Sequence, residues 1–147
     1  MAATREARAV WNGDLMSGTG AVSAVSSGRF SDLPVSWSAR TEAAGGKTSP
    51  EELLAAAHAT CFSMALSSLL AQAGNPPESV QTDATVTLRP VDGRPTITKI
   101  ELVTVGRVPG LDEAAFVEQA KAAKAGCPVS RALAGVPEIT LEASLAS

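Results

Sequence analysis

Two rhythms of apolar positions divide this chain, and the change between them lays out its elements. Short runs rich in Val, Ala and Trp predict strands over Ala7–Trp11, Met16–Ser26 and Leu33–Ala39, with turns at Asn12-Gly13 and Ser27-Gly28; together they make an antiparallel amino-terminal sheet. From Leu53 to Ala73 nearly every position is apolar or small, whichever face of a helix it falls on. Ser49 caps this helix, Pro50 takes the first position where a missing N–H costs nothing, and Glu52 completes a capping box three residues after Ser49. Gly74, just before Pro76 and Pro77, ends it. Beyond it, Val80–Leu88 and Thr96–Val105 flank Pro90, Asp92-Gly93 and Pro95 and read as a long hairpin. A helix over Asp112–Lys124 closes on Lys121, Lys124 and Gly126, a short helix runs from Pro128 through Leu133, and Glu138–Leu145 is a last strand. The order of strands, helix, strands, helices and strand predicts an α+β fold, a single domain over residues 1–147.

The long apolar stretch is a core helix rather than a membrane span. It carries His58, Thr60, Ser63, Ser67, Ser68 and Gln72, follows two glutamates, and lacks basic or aromatic anchors at its ends. A helix apolar or small all round must be covered all round, and a second such helix from a second subunit supplies the cover. A net charge of −3 with acidic and basic residues interspersed leaves no electrostatic footprint for nucleic acid. Met1–Val10 contains Arg5, Glu6 and Arg8 and no continuous apolar core, so it does not read as a secretory signal; a cytoplasmic location is expected, where thiols rest reduced.

A chain of 147 residues buries enough surface to fold without staples, so its two cysteines are open to chemical roles. Cys61 lies inside the long helix, in His58-Ala59-Thr60-Cys61-Phe62-Ser63-Met64; Cys127 sits at a break between helices, in Lys124-Ala125-Gly126-Cys127-Pro128-Val129-Ser130. This asymmetry predicts a buried attacking thiol and a more mobile thiol that resolves it, the latter favoured as a thiolate by its place at a helix start. Free cysteines are often inert packing residues, and His58 reads as a packed core histidine. His58, Cys61 and Cys127 offer three soft ligands without paired Cys-x-x-Cys spacing, so no metal or cofactor is expected. The competing reading is a non-catalytic dimer that binds a metal or small molecule.

The long segment Thr48-Ser49-Pro50-Glu51-Glu52-Leu53-Leu54-Ala55-Ala56-Ala57-His58-Ala59-Thr60-Cys61-Phe62-Ser63-Met64-Ala65-Leu66, followed by Ala125-Gly126-Cys127-Pro128-Val129-Ser130, resembles the OsmC/Ohr family of thiol peroxidases, in its OsmC branch. Trp11-Asn12-Gly13-Asp14, Ser38-Ala39-Arg40-Thr41-Glu42 and Thr98-Lys99-Ile100 extend the likeness over nearly the whole chain. The resemblance implies an OsmC-like fold, antiparallel sheets packed around a long central apolar helix, in an intertwined homodimer with two interfacial sites. It implies reduction of organic hydroperoxides to alcohols in antioxidant defence, with Cys61 as peroxidatic nucleophile, Cys127 as resolving thiol, and Arg40 with Glu51 as the polar pair at the reacting sulfur. Arg29 and Arg131 are substitutes for Arg40, whose place differs between branches of the family. The reductant implied is a dithiol, such as a lipoyl-bearing protein.

The chemistry itself constrains the site. A thiolate attacks the terminal peroxide oxygen to give a sulfenic acid, and a nearby thiol condenses with it before over-oxidation. Lowering a thiol pKa from about 8.5 to about 5.5 raises the thiolate roughly 30-fold at pH 7, but a Brønsted slope of about 0.5 removes a similar factor. The gain must come from a group such as Arg40 that stabilises the departing alkoxide, held by a bidentate Glu51. Ten residues of helix separate Glu51 from Cys61, roughly 15 Å of rise, more than a carboxylate spans; Glu51 is therefore expected to serve the Cys61 of a partner chain. Phe62, Met64, Leu54, Phe30 and Leu33 are the expected apolar walls that favour organic hydroperoxides over hydrogen peroxide.

Overall fold

In the computed structural model, which describes residues 1–147, ten elements follow one another: β1 (Ala7–Asn12), β2 (Thr19–Ala24), β3 (Leu33–Val35), α1 (Trp37–Thr41), α2 (Pro50–Gln72), β4 (Ser79–Val91), β5 (Arg94–Arg107), α3 (Glu113–Gly126), α4 (Pro128–Ala132) and β6 (Glu138–Leu145). The α+β class stands. The chain packs as two compact units, Met1–Leu53 and Leu54–Ser147.

In the first unit β1, β2 and β3 form an antiparallel sheet in that order. The second strand starts at Thr19, not Met16, because the Asp14 carboxylate accepts the Ser17 N–H at 2.8 Å and folds residues 14–17 into a turn. Gly18 is required there: a Cβ would collide with the Asp14 and Asn12 carbonyls. The strand expected over Leu33–Ala39 stops at Val35 and is corrected to a strand and a helix. Ser36 is extended, its hydroxyl accepts the Ala39 N–H at 3.2 Å, and this N-cap opens α1.

The long helix keeps its expected start and stop. The Ser49 hydroxyl accepts the Glu52 N–H at 3.1 Å, but the Glu52 carboxylate takes the Thr48 hydroxyl at 2.6 Å, so half of the expected capping box is replaced by a bond to Thr48. At the other end Gly74 turns left-handed (φ +89°) while the Asn75 N–H reaches the Leu70 carbonyl at 2.9 Å and the Gly74 N–H reaches Ala71 at 3.0 Å, a Schellman closure.

In the second unit β4 and β5 form the long hairpin through Asp92 (φ +50°) and Gly93 (φ +74°), the two positive φ angles of a type I′ turn. Pairing shifts between Thr87 and Leu88, leaving Thr98 as a bulge residue. The strand β6 then joins β5 in parallel, from Lys99↔Glu138 to Gly106↔Leu145, so this sheet is mixed where an antiparallel one was expected. The reason is the α3–α4 crossover between β5 and β6, which returns the chain in the same direction. Along β4, Val80, Thr82 and Ala84 are half-buried while Ser79, Gln81, Asp83 and Thr85 are exposed, the period-two pattern of a sheet with one covered face. That face meets Phe62, Leu66 and Leu70 of α2, Ile100 and Leu102 of β5, and Phe116, Ala120 and Ala123 of α3 in one hydrophobic core.

On α2, His58, Phe62, Leu66 and Leu70 are buried, whereas Ala56, Thr60, Met64 and Ser68 are exposed. The two sets are offset by two residues, about 200° around the axis, and so mark opposite faces. Length and composition alone would let α2 cross a membrane. Its inner stripe instead packs against the sheet, and its Ser63 hydroxyl donates to Thr82 at 2.8 Å.

Candidate active site

Two constellations are present, one in each unit. In the first, α1 presents Arg40 and the first turn of α2 presents Glu51. The Arg40 Nε lies 2.9 and 3.2 Å from the two Glu51 carboxylate oxygens and its Nη2 lies 2.9 Å from Oε1, a fork-shaped pairing. Glu51 is 7 % exposed. The Trp37 ring, three residues before Arg40 on α1, lies under the guanidinium with its centroid 5.8 Å away. Arg40, not Arg29 or Arg131, pairs with Glu51.

In the second unit α2 carries Cys61 and the α3–α4 junction carries Cys127, both as free thiols. Both pack into the same hydrophobic cluster, and each perturbs the ionisation of the other. Their exposure corrects the expected asymmetry: Cys127 is wholly buried among core residues and Cys61 is the partly exposed one, because the α3–α4 break points inward and not to solvent. Burial pushes the Cys61 thiol up, the Val129 N–H opposes this, and the adjoining Cys127 sulfur adds to the rise. Burial also works to raise Cys127, but the Ser130 N–H, the Cys61 thiol, the Ser130 hydroxyl and the Val129 N–H together outweigh it and hold Cys127 below its ordinary value.

His58 is fully buried, and its Nε2 lies 2.7 Å from the Ser130 hydroxyl. Ser130 was missed by the sequence reading, although a serine three residues after a cysteine at a helix start is the available signal. The expected pocket walls differ in their exposure. Phe62 is corrected from pocket wall to core residue: it is fully buried against Leu66 and Phe116. Met64 is 69 % exposed on the outer face of α2, and Leu54, Phe30 and Leu33 are half-buried. A cavity of about 720 Å³ opens elsewhere, between α3, α4 and β6, lined by Val117, Lys124, Ser130, Arg131, Ile139 and Leu141. No group of three His, Cys, Asp or Glu side chains is arranged to hold a metal ion.

Two free thiols packed into one hydrophobic cluster of an α+β chain are a pair that can cycle between dithiol and disulfide. The chain belongs to the OsmC family: a family model described as OsmC-like protein matches residues 43–142, and the Escherichia coli (strain K12) protein named peroxiredoxin OsmC is 46 % identical over 143 residues, 97 % of each chain. The same fold recurs in solved structures of lower identity. The organic hydroperoxide resistance protein OhrB of Bacillus subtilis superposes with a TM-score of 0.71 at 24 % identity, over 96 % of this chain and 98 % of that one. An organic hydroperoxide resistance protein from Elizabethkingia anophelis, with thiocyanate from the crystallisation bound, gives 0.75 at 23 % identity, over 99 % and 100 %.

Proposed function

We propose that this chain is a thiol-dependent peroxidase of one domain that reduces organic hydroperoxides to alcohols in antioxidant defence, working in the cytoplasm as an intertwined homodimer. The observation that carries the reading is the packing of the free thiols Cys61 and Cys127 into one cluster of a chain 46 % identical to a peroxiredoxin. The Cys61 thiolate attacks the terminal oxygen of the hydroperoxide; an S–O bond forms, the O–O bond breaks, and the alkoxide leaves as alcohol once protonated. Cys127 then attacks the sulfenic sulfur, an S–S bond forms, the S–O bond breaks, and water departs. A dithiol such as a lipoyl group returns both sulfurs to thiols by exchange.

The Arg40–Glu51 fork supplies positive charge to the departing alkoxide, its geometry fixed by two oxygens on one side and Trp37 on the other. Burial disfavours the Cys61 thiolate, so an added cation is what this thiol needs. Glu51 and Cys61 stand ten residues apart on α2, and in this reading Arg40 and Glu51 serve the Cys61 of the partner chain. The outer face of α2, with Ala56, Thr60, Met64 and Ser68 exposed, is where the partner's helix lies.

The reduced protein, treated with one equivalent of cumene hydroperoxide, is expected to lose two thiols per chain, with a Cys61–Cys127 crosslink in the non-reducing peptide map. Loss of one thiol, or of none while the peroxide persists, overturns the cycle.

A further inference from the structure

The cycle above leaves one fully buried ionisable side chain without a task. His58 is 0 % exposed, its Nδ1 has no hydrogen-bond partner, and its Nε2 contacts Ser130 at 2.7 Å. Ser130, itself 8 % exposed, lies in the first turn of α4, three residues after Cys127, and acts to lower the Cys127 pKa. Imidazole, hydroxyl and cysteine thus follow one another in a row of neighbours, drawn from α2, α4 and the junction between α3 and α4.

Counting protons fixes the direction of this row. A serine hydroxyl has one hydrogen to give and accepts through its lone pairs, while a neutral imidazole gives from one nitrogen and accepts at the other. Burial keeps His58 neutral by lowering its pKa. If the imidazole proton were on Nδ1, a buried N–H would be left with no acceptor and the serine hydrogen would be spent on Nε2. With the proton on Nε2, the orphan is a lone pair, and the serine hydrogen is free for sulfur. Buried N–H groups without acceptors are the rarer and costlier fault, so the second arrangement holds.

We infer that His58 is a positioning residue for the resolving step: its Nε2–H locks the Ser130 hydroxyl so that the O–H points at Cys127 and stabilises the sulfur as the attacking thiolate. In the condensation, the Cys127 thiolate forms the S–S bond to the Cys61 sulfenic sulfur, hydroxide leaves, and the proton released by Cys127 on ionising converts it to water. The row thus acts on disulfide closure and not on peroxide cleavage at Cys61. This inference rests on the proposed peroxidase cycle.

The test is a single turnover with cumene hydroperoxide that follows the two steps separately: peroxide loss for the first, and disulfide formation in acid-quenched, non-reducing peptide maps for the second, with dimedone trapping any lingering sulfenic acid at Cys61. Ser130→Ala is expected to slow disulfide closure roughly tenfold, the weight of one hydrogen bond to a charged group, with dimedone adduct accumulating at Cys61 and peroxide loss keeping its rate. His58→Leu is expected to slow closure in the same way, and His58→Gln, which keeps a donor, to restore most of it. Unchanged closure in Ser130→Ala overturns the inference, as does an equal slowing of both steps, which marks a purely structural role. The His58→Leu and His58→Gln pair decides the matter if Ser130→Ala does not fold. Failure of the unaltered protein to consume peroxide overturns the peroxidase cycle instead.

Discussion

The two units of this chain are built on opposite terms. All ten buried hydrophobic residues, from Phe62 to Cys127, lie in the second unit, while the first buries a single side chain, the carboxylate of Glu51. Every residue of β1 is exposed, including Val10 at 54 % and Trp11 at 41 %. A three-stranded sheet with no buried apolar face does not offset its own loss of chain entropy. The second unit reads as a self-sufficient core holding the thiols; the first reads as a carrier for a charged fork whose stability comes from what it docks on. The proposed division of labour across two copies of the chain, with the nucleophile on one and its electrostatic helper on the other, fits this contrast.

The largest effect tests this division. Arg40→Ala or Glu51→Ala is expected to lower peroxide turnover by about 10²–10³-fold, the cost of one transition-state donor, with both thiols still titrating. Cys61→Ala removes turnover altogether. Inactive Cys61→Ala and inactive Glu51→Ala subunits, mixed and refolded into verified hybrid dimers, are expected to recover activity at the one site that combines intact halves. Hybrids that stay inactive place each site within one chain.

Stability should divide in the same way. Phe116 packs fully buried over Gly106, and Phe116→Ala is expected to cost about 3–5 kcal/mol in chemical denaturation. Gly106→Ala puts a Cβ into collision with the Phe116 ring and should cost about 1–3 kcal/mol by overpacking. Val10→Ala gives the contrast: within about 0.5 kcal/mol if β1 faces water, and above about 1 kcal/mol if a second copy covers it. A loss of more than about 1 kcal/mol that fades on dilution to monomers identifies the cover as the partner.

What could be read from the residues follows the same divide. The second unit was legible because its signals are local and repeated: Asp92-Gly93 dictates the hairpin turn, Gly74 closes α2, and Pro128 opens α4. The first unit was blurred where one side chain overrules a pattern, as Ser36 does by capping α1 inside an apparent strand and Asp14 by holding a turn. The Cys61, Cys127, Arg40 and Glu51 positions came from long motifs, and the structure joins them into two pairs. The parallel partner of β5 and the inward turn of Cys127 depend on how α3 and α4 cross over, which no local pattern encodes. Ser130 escaped for the same reason: its partner His58 is 72 residues away.

The smallest effect concerns that histidine. Burial holds His58 below its ordinary value of 6.5, so the unfolded chain takes up a proton before the folded one does. Stability from this group is therefore fully present above about pH 6.5 and is lost as pH falls toward the lower folded value, a window set above the titration of ordinary carboxylates near 4. In His58→Gln the slope of unfolding free energy between pH 6.5 and 5 should flatten, while Glu51→Gln, altered in the other unit, should leave that slope in place. Equal slopes in the unaltered protein and His58→Gln would mean that the histidine titrates alike folded and unfolded, and that the second unit is less closed around the thiols than its buried stripe indicates.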